Sequence, residues 1–401
     1  MITETLTMAT VDKGGELQGE RKRKKRGGKY SSRLWRPGCF RVAATDPSPA
    51  KTGGEEDGEQ RKPKPNHLVV TVNGLIGSAR DWRYAAKHFV KRYPEDVVVH
   101  CSECNCARLT LDGIDVMGER LAKEVLSVVE RRPELQKISF VGHSLGGLIT
   151  RYAIALLFKP SVERSSSEET EAIKSVSECL EQDAKAKIAG LEPMNFITFV
   201  TPHLGSRWHK QIPILCGSPA LERMSYKISS IVGKTGNHLF LKDKKDGKPP
   251  LLLQMVTDNG GIPFMSALQS FKRRVTYSNV CSDFIVGWRT SCIRFQHELP
   301  KRENFTKNEK YRHVVNEEKP KNLTEQHEGF LEIDFSQPIN ANKMEELMIK
   351  GLKRVPWERV DVSFRKSKQR ILAHTTIQVN TYAINSAGAD VIFHMIDNFL
   401  L

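Results

Sequence analysis

Short apolar runs alternate with stretches of helical period along most of this chain. His67-Leu68-Val69-Val70-Thr71-Val72 is a β-branched run that stops at the turn pair Asn73-Gly74, so it predicts a strand. Trp82 to Arg92 predicts a helix and Asp96 to His100 (DVVVH) a second strand. Over Asp112 to Arg132, Met117, Leu121, Val125 and Val128 or Val129 recur at helical spacing, which predicts a long amphipathic helix. Leu135 to Val141 (LQKISFV) predicts a short buried strand, and Leu145 to Phe158 (LGGLITRYAIALLF) a helix behind it. Met194 to Val200, Arg274 to Val280 and Arg359 to Phe364 predict three more strands, and Ala389 to Leu400 a closing helix. Strands this apolar, separated by helices, are expected to be buried on both faces. The pattern predicts an α/β architecture: a mostly parallel, doubly wound sheet with helices on both faces.

Four stretches break the alternation. Residues 1–65 are basic and rich in Gly, Ser and Pro, and are expected to form a disordered tail before a folded domain over 66–401. Lys159 to Leu191 is polar and reads as a surface excursion. Residues of about 206–270 lie between two core strands and carry Leu221, Met224, Ile228 and Ile231 at helical spacing beside Arg223 and Lys227. This stripe suits either a helix packed on the core or a cap over a site. Residues of about 296–343 are long and charged, and are expected to form a flexible loop.

Between the predicted strand ending at Val141 and the helix starting at Leu145 stands Gly142-His143-Ser144-Leu145-Gly146, a G-x-S-x-G sequence. A strand, a tight turn and a helix are the context in which this pattern exposes a nucleophilic serine. Glycines two before and two after let the strand and helix backbones pass closely, and the helix N-terminus favours negative charge beside Ser144. A serine hydroxyl needs a base, and the base needs an acid that fixes its tautomer. Where the nucleophile sits on such an elbow, the chain order is Ser, then Asp or Glu, then His. Asp283 follows the strand VTYSNV and fits the acid, with Asp258 as its rival before Asn259-Gly260-Gly261. His374, in Leu372-Ala373-His374-Thr375-Thr376, fits the base, with His394 in the closing helix as its rival. His297, His313 and His327 lie in the charged loop, and His203 comes early in the order. An oxyanion would need two backbone N–H groups, for which Leu145 and Leu75 are the candidates, with Gly74 allowing the turn.

These pieces resemble a family of serine esterases, a lipase-like branch of the α/β-hydrolases labelled a domain of unknown function. The matching segments are VTVNGLIGSARDW (70–82), FVGHSLGGLITRYAI (140–154), FITFVTPHLGS (196–206), TYSNVCSDFIVGWRTS (276–291) and LAHTTIQV (372–379), and their wording is similar to plant members. The resemblance implies an α/β-hydrolase fold with a cap insertion, and a triad of Ser144, Asp283 and His374. It implies that Asn73, Gly74, His143 and His203 line the substrate pocket. Asn73 stands where many members carry His, a change that a backbone donor would tolerate. The resemblance also implies hydrolysis of lipid or acyl esters through an acyl-enzyme, with no cofactor. An acyltransferase using the same acyl-enzyme, and a non-catalytic lipid-binding or scaffold protein on the same fold, are the alternatives.

Composition changes this picture in three places. The net charge is +15, and a dense part of it is the run Arg21 to Arg26 with Lys29. For a lipid-directed enzyme, that run suits peripheral contact with an anionic membrane; no nucleic-acid partner is expected. Eight cysteines without an apolar leader at the N-terminus suit reduced thiols and a cytoplasmic setting. Cys101, Cys104 and Cys106 cluster, but lack a partner Cys/His pair at zinc-finger spacing, so no metal site is expected.

Overall fold

In the computed structural model, the described residues are 39–40, 64–160, 185–206, 233–245, 247–258, 261–320 and 339–401. The basic run Arg21 to Arg26, the stripe Leu221, Met224, Ile228 and Ile231, and His327 lie outside them.

The strands are β1 (Cys39–Phe40), β2 (His67–Val72), β3 (Val97–Cys101), β4 (Lys137–His143), β5 (Phe158–Lys159) and β6 (Lys187–Ile188). They continue with β7 (Glu192–Phe199), β8 (Arg273–Asn279), β9 (Val314–Glu318) and β10 (Glu358–Val362). The main sheet runs β1-β3-β2-β4-β7-β8-β10-β9. Its six central strands, β3-β2-β4-β7-β8-β10, are parallel, and the two outermost strands pair antiparallel. Phe158–Lys159 and Lys187–Ile188 form a separate two-stranded ribbon across the polar excursion.

Alternation along each strand sorts side chains between two layers. Leu68, Val70 and Val72 of β2 join Ile138, Phe140 and Phe196 on the face covered by α2 (Ile114–Glu130) and α3 (Leu145–Leu157). Val69, Val99, Val141, Ile197 and Phe199 point to the other face, against α1 (Arg83–Arg92) and the closing helix Ala389–Asp397. Fully burying each of these side chains contributes about 1.5–3 kcal/mol, so the double-sided cover is the main source of stability. The sheet starts at β2 and adds β3 on one side and β4 on the other. That reversal falls at the carboxyl ends of β2 and β4, the place where open α/β sheets bind ligands. The α/β-hydrolase architecture expected from the sequence is the one observed.

Three of the stretches that break the alternation carry structure. Cys39–Phe40 of the expected tail pairs with β3. From Leu251 onward the 206–270 region, read as a core-packed helix or a cap, contributes core: Leu252, Leu253, Phe264, Met265 and Leu268 pack with α2 and α3. The expected loop over 296–343 contains β9, which pairs with β10 at the sheet edge, and the start of the helix Ala341–Leu352. β9 reads VVNEE, too short and too acidic to show as a strand. Its acids are used in the fold, because Glu318 accepts from Arg294 (2.9 Å) and Arg359 (3.2 Å).

Arg294 also chelates the fully buried Asp361 of β10, at 2.9 and 3.0 Å. Trp288 (2.7 Å) and Asn316 (2.8 Å) donate to the same carboxylate, so this cluster fastens β9 and β10 to the 288–294 segment. Asp361→Ala would strand a buried guanidinium and is expected to cost about 3–5 kcal/mol, read from the midpoint of urea unfolding. A loss below about 1 kcal/mol would show that the cluster does not hold the edge.

Candidate active site

Ser144 is the single residue between β4 and α3, with φ +52° and ψ −124°. Few non-glycine residues adopt this region, and holding one there costs of order 1–3 kcal/mol. The two flanking glycines explain how the turn is reached. A Cβ on residue 142 would stand 2.6 Å from the Gly147 backbone, and one on residue 146 would stand 2.6 Å from the Asn73 carbonyl oxygen. The first turn of α3 therefore slides directly over the end of β2. The Ser144 N–H donates to the Phe199 carbonyl (2.8 Å), tying the turn to β7 as well.

The serine Oγ lies 3.0 Å from His374 Nε2. His374 Nδ1 in turn lies 3.1 and 3.0 Å from the two Asp283 carboxylate oxygens. All three side chains are buried. An ionised carboxylate only accepts, so Nδ1 carries the proton and Nε2 is free to accept from the serine hydroxyl. Asp283 is itself held: Oδ1 accepts from the Ile285 (3.0 Å) and Val286 (2.9 Å) amides, and Oδ2 from Asn279 Nδ2 (3.0 Å). Burial alone would raise its pKa. The facing His374, the Val286 amide and Asn279 outweigh that, and hold the carboxyl below its ordinary range.

His143, expected as a pocket residue, packs beside His374 with ring centroids 4.8 Å apart. Its Nε2 donates to the His374 carbonyl oxygen at 2.7 Å. Burial first, and then the neighbouring His374, push its pKa down to about 3, so this imidazole is neutral at neutral pH. A Cβ on residue 74 would stand 3.1 Å from His143 Nδ1, so Gly74 makes room for the ring. The sequence indicated His143 as part of the elbow, but not its bond to His374.

After β2, Gly77 N–H donates to the Gly74 carbonyl (3.0 Å), closing a turn with Leu75 and Ile76 at its centre. The Ile76 amide donates to Thr110 Oγ1 (2.9 Å), and Asn73 Nδ2 to the carbonyls of Gly74 (3.1 Å) and Asn105 (3.0 Å). Leu75 thus occupies the turn beside the elbow. Leu145 is the first residue of α3, where a backbone N–H has no acceptor inside the helix. His203 is fully buried, 3.1 Å from Thr198 Oγ1 and edge-on to Trp357, and burial followed by the nearby Arg151 charge depresses its pKa.

The rivals have other work. Asp258 accepts from the Met265 and Ser266 amides and the Ser266 hydroxyl at the start of helix Phe264–Gln269. His394 bonds Tyr277 (2.9 Å) and faces Glu317 (3.3 Å). His313 pairs with Asp390, and His297 stacks on Phe295. Among the described residues, no group of three or more His, Cys, Asp or Glu side chains could hold a metal ion.

Two outcomes follow from this geometry. Ser144→Gly removes the strained Cβ and is expected to raise stability by about 1 kcal/mol over Ser144→Ala, which keeps the strain. Urea unfolding of the pair checks it, and equal midpoints would mean that the elbow stores no strain. The depressed Asp283 pKa contributes stability above the unfolded carboxyl value of about 4, and loses it as pH falls through the lower folded value. The stability gap between wild type and Asp283→Asn should therefore narrow below about pH 4.

Residues 62–294 match the family described as "Putative serine esterase (DUF676)". The chain is 32% identical over 240 residues to "Putative lipase ROG1" of Saccharomyces cerevisiae, covering 58% of this chain and 29% of that protein. It is 27% identical over 241 residues to "Putative lipase C4A8.10" of Schizosaccharomyces pombe, covering 57% of this chain and 26% of that protein. The chain thus spans less than a third of the length of these curated relatives. The thermophilic esterase Est2 of Thermogutta terrifontis aligns at 13% identity and a TM-score of 0.34, over 86% of both chains. At that score it adds nothing to the fold assignment, which rests on strand order and elbow. Because the family match crosses more than half of the chain and takes in the strand, turn and helix around Ser144, this protein belongs to the DUF676 serine esterase family.

Proposed function

We propose that this protein is a lipase-like carboxylic-ester hydrolase that works through an acyl-enzyme on Ser144. The observation that carries this reading is the unbroken hydrogen-bond line from Ser144 through His374 to Asp283 at the carboxyl edge of the sheet. In the first half-reaction the Ser144 oxygen attacks the ester carbonyl, while His374 Nε2 takes the hydroxyl proton. Asp283 keeps Nδ1 protonated and stabilises the imidazolium as it forms. The Leu75 and Leu145 amides bind the oxyanion, and each such donor is worth about 10²–10³ in kcat. His374 then returns the proton to the departing alcohol. In the second half, water gives its proton to His374 and attacks the acyl carbonyl; collapse of that intermediate releases the acid and restores Ser144. Asn73, Gly74 and His143 shape the surroundings of the reacting carbonyl, with His203 in the buried layer behind.

The substrate class that suits this site is a lipid or other acyl ester. Cys101, Cys104, Cys106, Cys281 and Cys292 are free thiols, which supports a reducing, cytoplasmic setting. Among the described residues, no helix is long and apolar enough to cross a membrane.

Fluorophosphonate labelling, with a chain-length series of p-nitrophenyl esters, tests the reading. Wild type is expected to label and turn over, and Ser144→Ala and His374→Ala to do neither. Asp283→Asn should fold but lose about 10⁴ in kcat, because the base then sits in the wrong tautomer. Undiminished turnover by Ser144→Ala would refute the acyl-enzyme.

A further inference from the structure

Six of the fourteen exposed large apolar side chains among the described residues gather at one edge of the fold. Leu75 and Ile76 leave the carboxyl end of β2, Phe284 and Ile285 follow β8, and Ile371 and Leu372 follow β10, separated from His374 by Ala373 alone. All six therefore come from loops at the edge that holds Ser144. Ile371 is 69% exposed, Ile76 56% and Ile285 51%. Single exposed apolar residues are ordinary, but a group rimming one crevice marks a surface built for contact. Ile76 adds a second cost. Its φ is +56°, a region that a β-branched residue enters only under strain, and glycine or asparagine would serve the turn better.

Charge identifies the occupant. The segment Phe364 to Leu372 carries Arg365, Lys366, Lys368 and Arg370, all exposed, and no Asp or Glu occurs from Ser363 to Ala389. None of the four cations pairs with a carboxylate among the described residues. The segment is a fixed platform: Phe364 is fully buried, and Ser367 N–H donates to its carbonyl (2.8 Å). Gln369 bonds Ser386 (3.1 Å) and the Ala387 amide (2.8 Å). Unpaired cations held beside outward isoleucine and leucine match a surface with anionic heads and an apolar interior. An acidic protein partner would satisfy the cations, but leave the apolar rim without a reason.

We propose that the carboxyl edge of the sheet docks on an anionic lipid surface, with Arg365, Lys366, Lys368 and Arg370 on the headgroups and the Ile76, Ile285 and Ile371 rim in the acyl layer. Docked this way, the Ser144 crevice opens onto the membrane. This inference takes its orientation from the ester-hydrolase reading, but its test does not need turnover. It also differs from anchoring by the basic run Arg21 to Arg26.

The test uses the full chain as Ser144→Ala, so that vesicles stay intact, in flotation with phosphatidylcholine vesicles with and without phosphatidylserine. Binding is expected to require phosphatidylserine and to weaken as salt rises. Each cation near an anionic surface contributes about five-fold, so Lys366→Glu, Lys368→Glu and Arg370→Glu together should lower binding at least about ten-fold. Ile285→Ser with Ile371→Ser should weaken it at fixed charge. In the Ser144 background the three-glutamate variant should turn over a water-soluble short-chain ester as wild type does, which shows that it is folded. No binding by the parent chain would overturn the proposal, as would equal binding by parent and three-glutamate variant. Binding lost only on neutralising Arg21 to Arg26 would overturn it too. If no ester is turned over by any variant, the hydrolase reading fails while the vesicle result still stands.

Discussion

The start of α3 crosses the end of β2 at backbone contact distance, and the candidate site depends on that crossing. Only glycine at 142 and 146 permits it, because a Cβ at either position would overlap the neighbouring backbone. The crossing puts Ser144 at a strained φ of +52° and sets the first amide of α3 beside the turn that follows β2. The strain is offset by burial. α3 is enclosed almost all round, with Leu145, Leu148, Ile149, Tyr152 and Ile154 in the core, and the Ser144 amide is bonded to β7. A helix buried this fully cannot shift to relax one residue, so the serine stays where the packing puts it.

Around that serine the polar groups are arranged so that charge sits in one place. Asp283 is buried, yet bonds to two backbone amides, Asn279 and His374 stabilise its ionised form. His143 is neutral and spends its one N–H on the His374 carbonyl. Two histidines therefore lie side by side in a poorly solvated space without mutual repulsion. Each has its tautomer set by a different acceptor, a carboxylate for His374 and a carbonyl for His143. His374 is consequently held at both its ring and its backbone.

The far half of the sheet matters to the site through position more than through chemistry. β8 delivers Asp283, and β10 leads into the platform that ends at His374. These strands are kept in place by the Arg294–Asp361 cluster and by Tyr277, which stacks on Phe199 (4.5 Å) and bonds His394. The same platform displays Arg365 to Leu372, so the element that positions His374 also presents these exposed side chains beside it.

Much of this was legible in the chain because much of it is local. Apolar runs of strand length, a helical period over Asp112 to Arg132 and a serine between two spaced glycines are signals written within a few residues of one another. β9 and the helix Ala341–Leu352 were not legible, since VVNEE gains its stability from arginines on other elements. Asp283 and Asp258 look alike as loop carboxylates. The fold separates them by setting one against a histidine 91 residues away and the other on the start of a helix. By itself, then, the sequence determined the parallel sheet, the elbow and the identity of its serine, through backbone sterics and periodic burial. Only the tertiary structure decided which carboxylate meets His374, what His143 bonds and which edge presents the apolar rim, because those depend on groups that packing alone brings within 3 Å across as many as 231 residues.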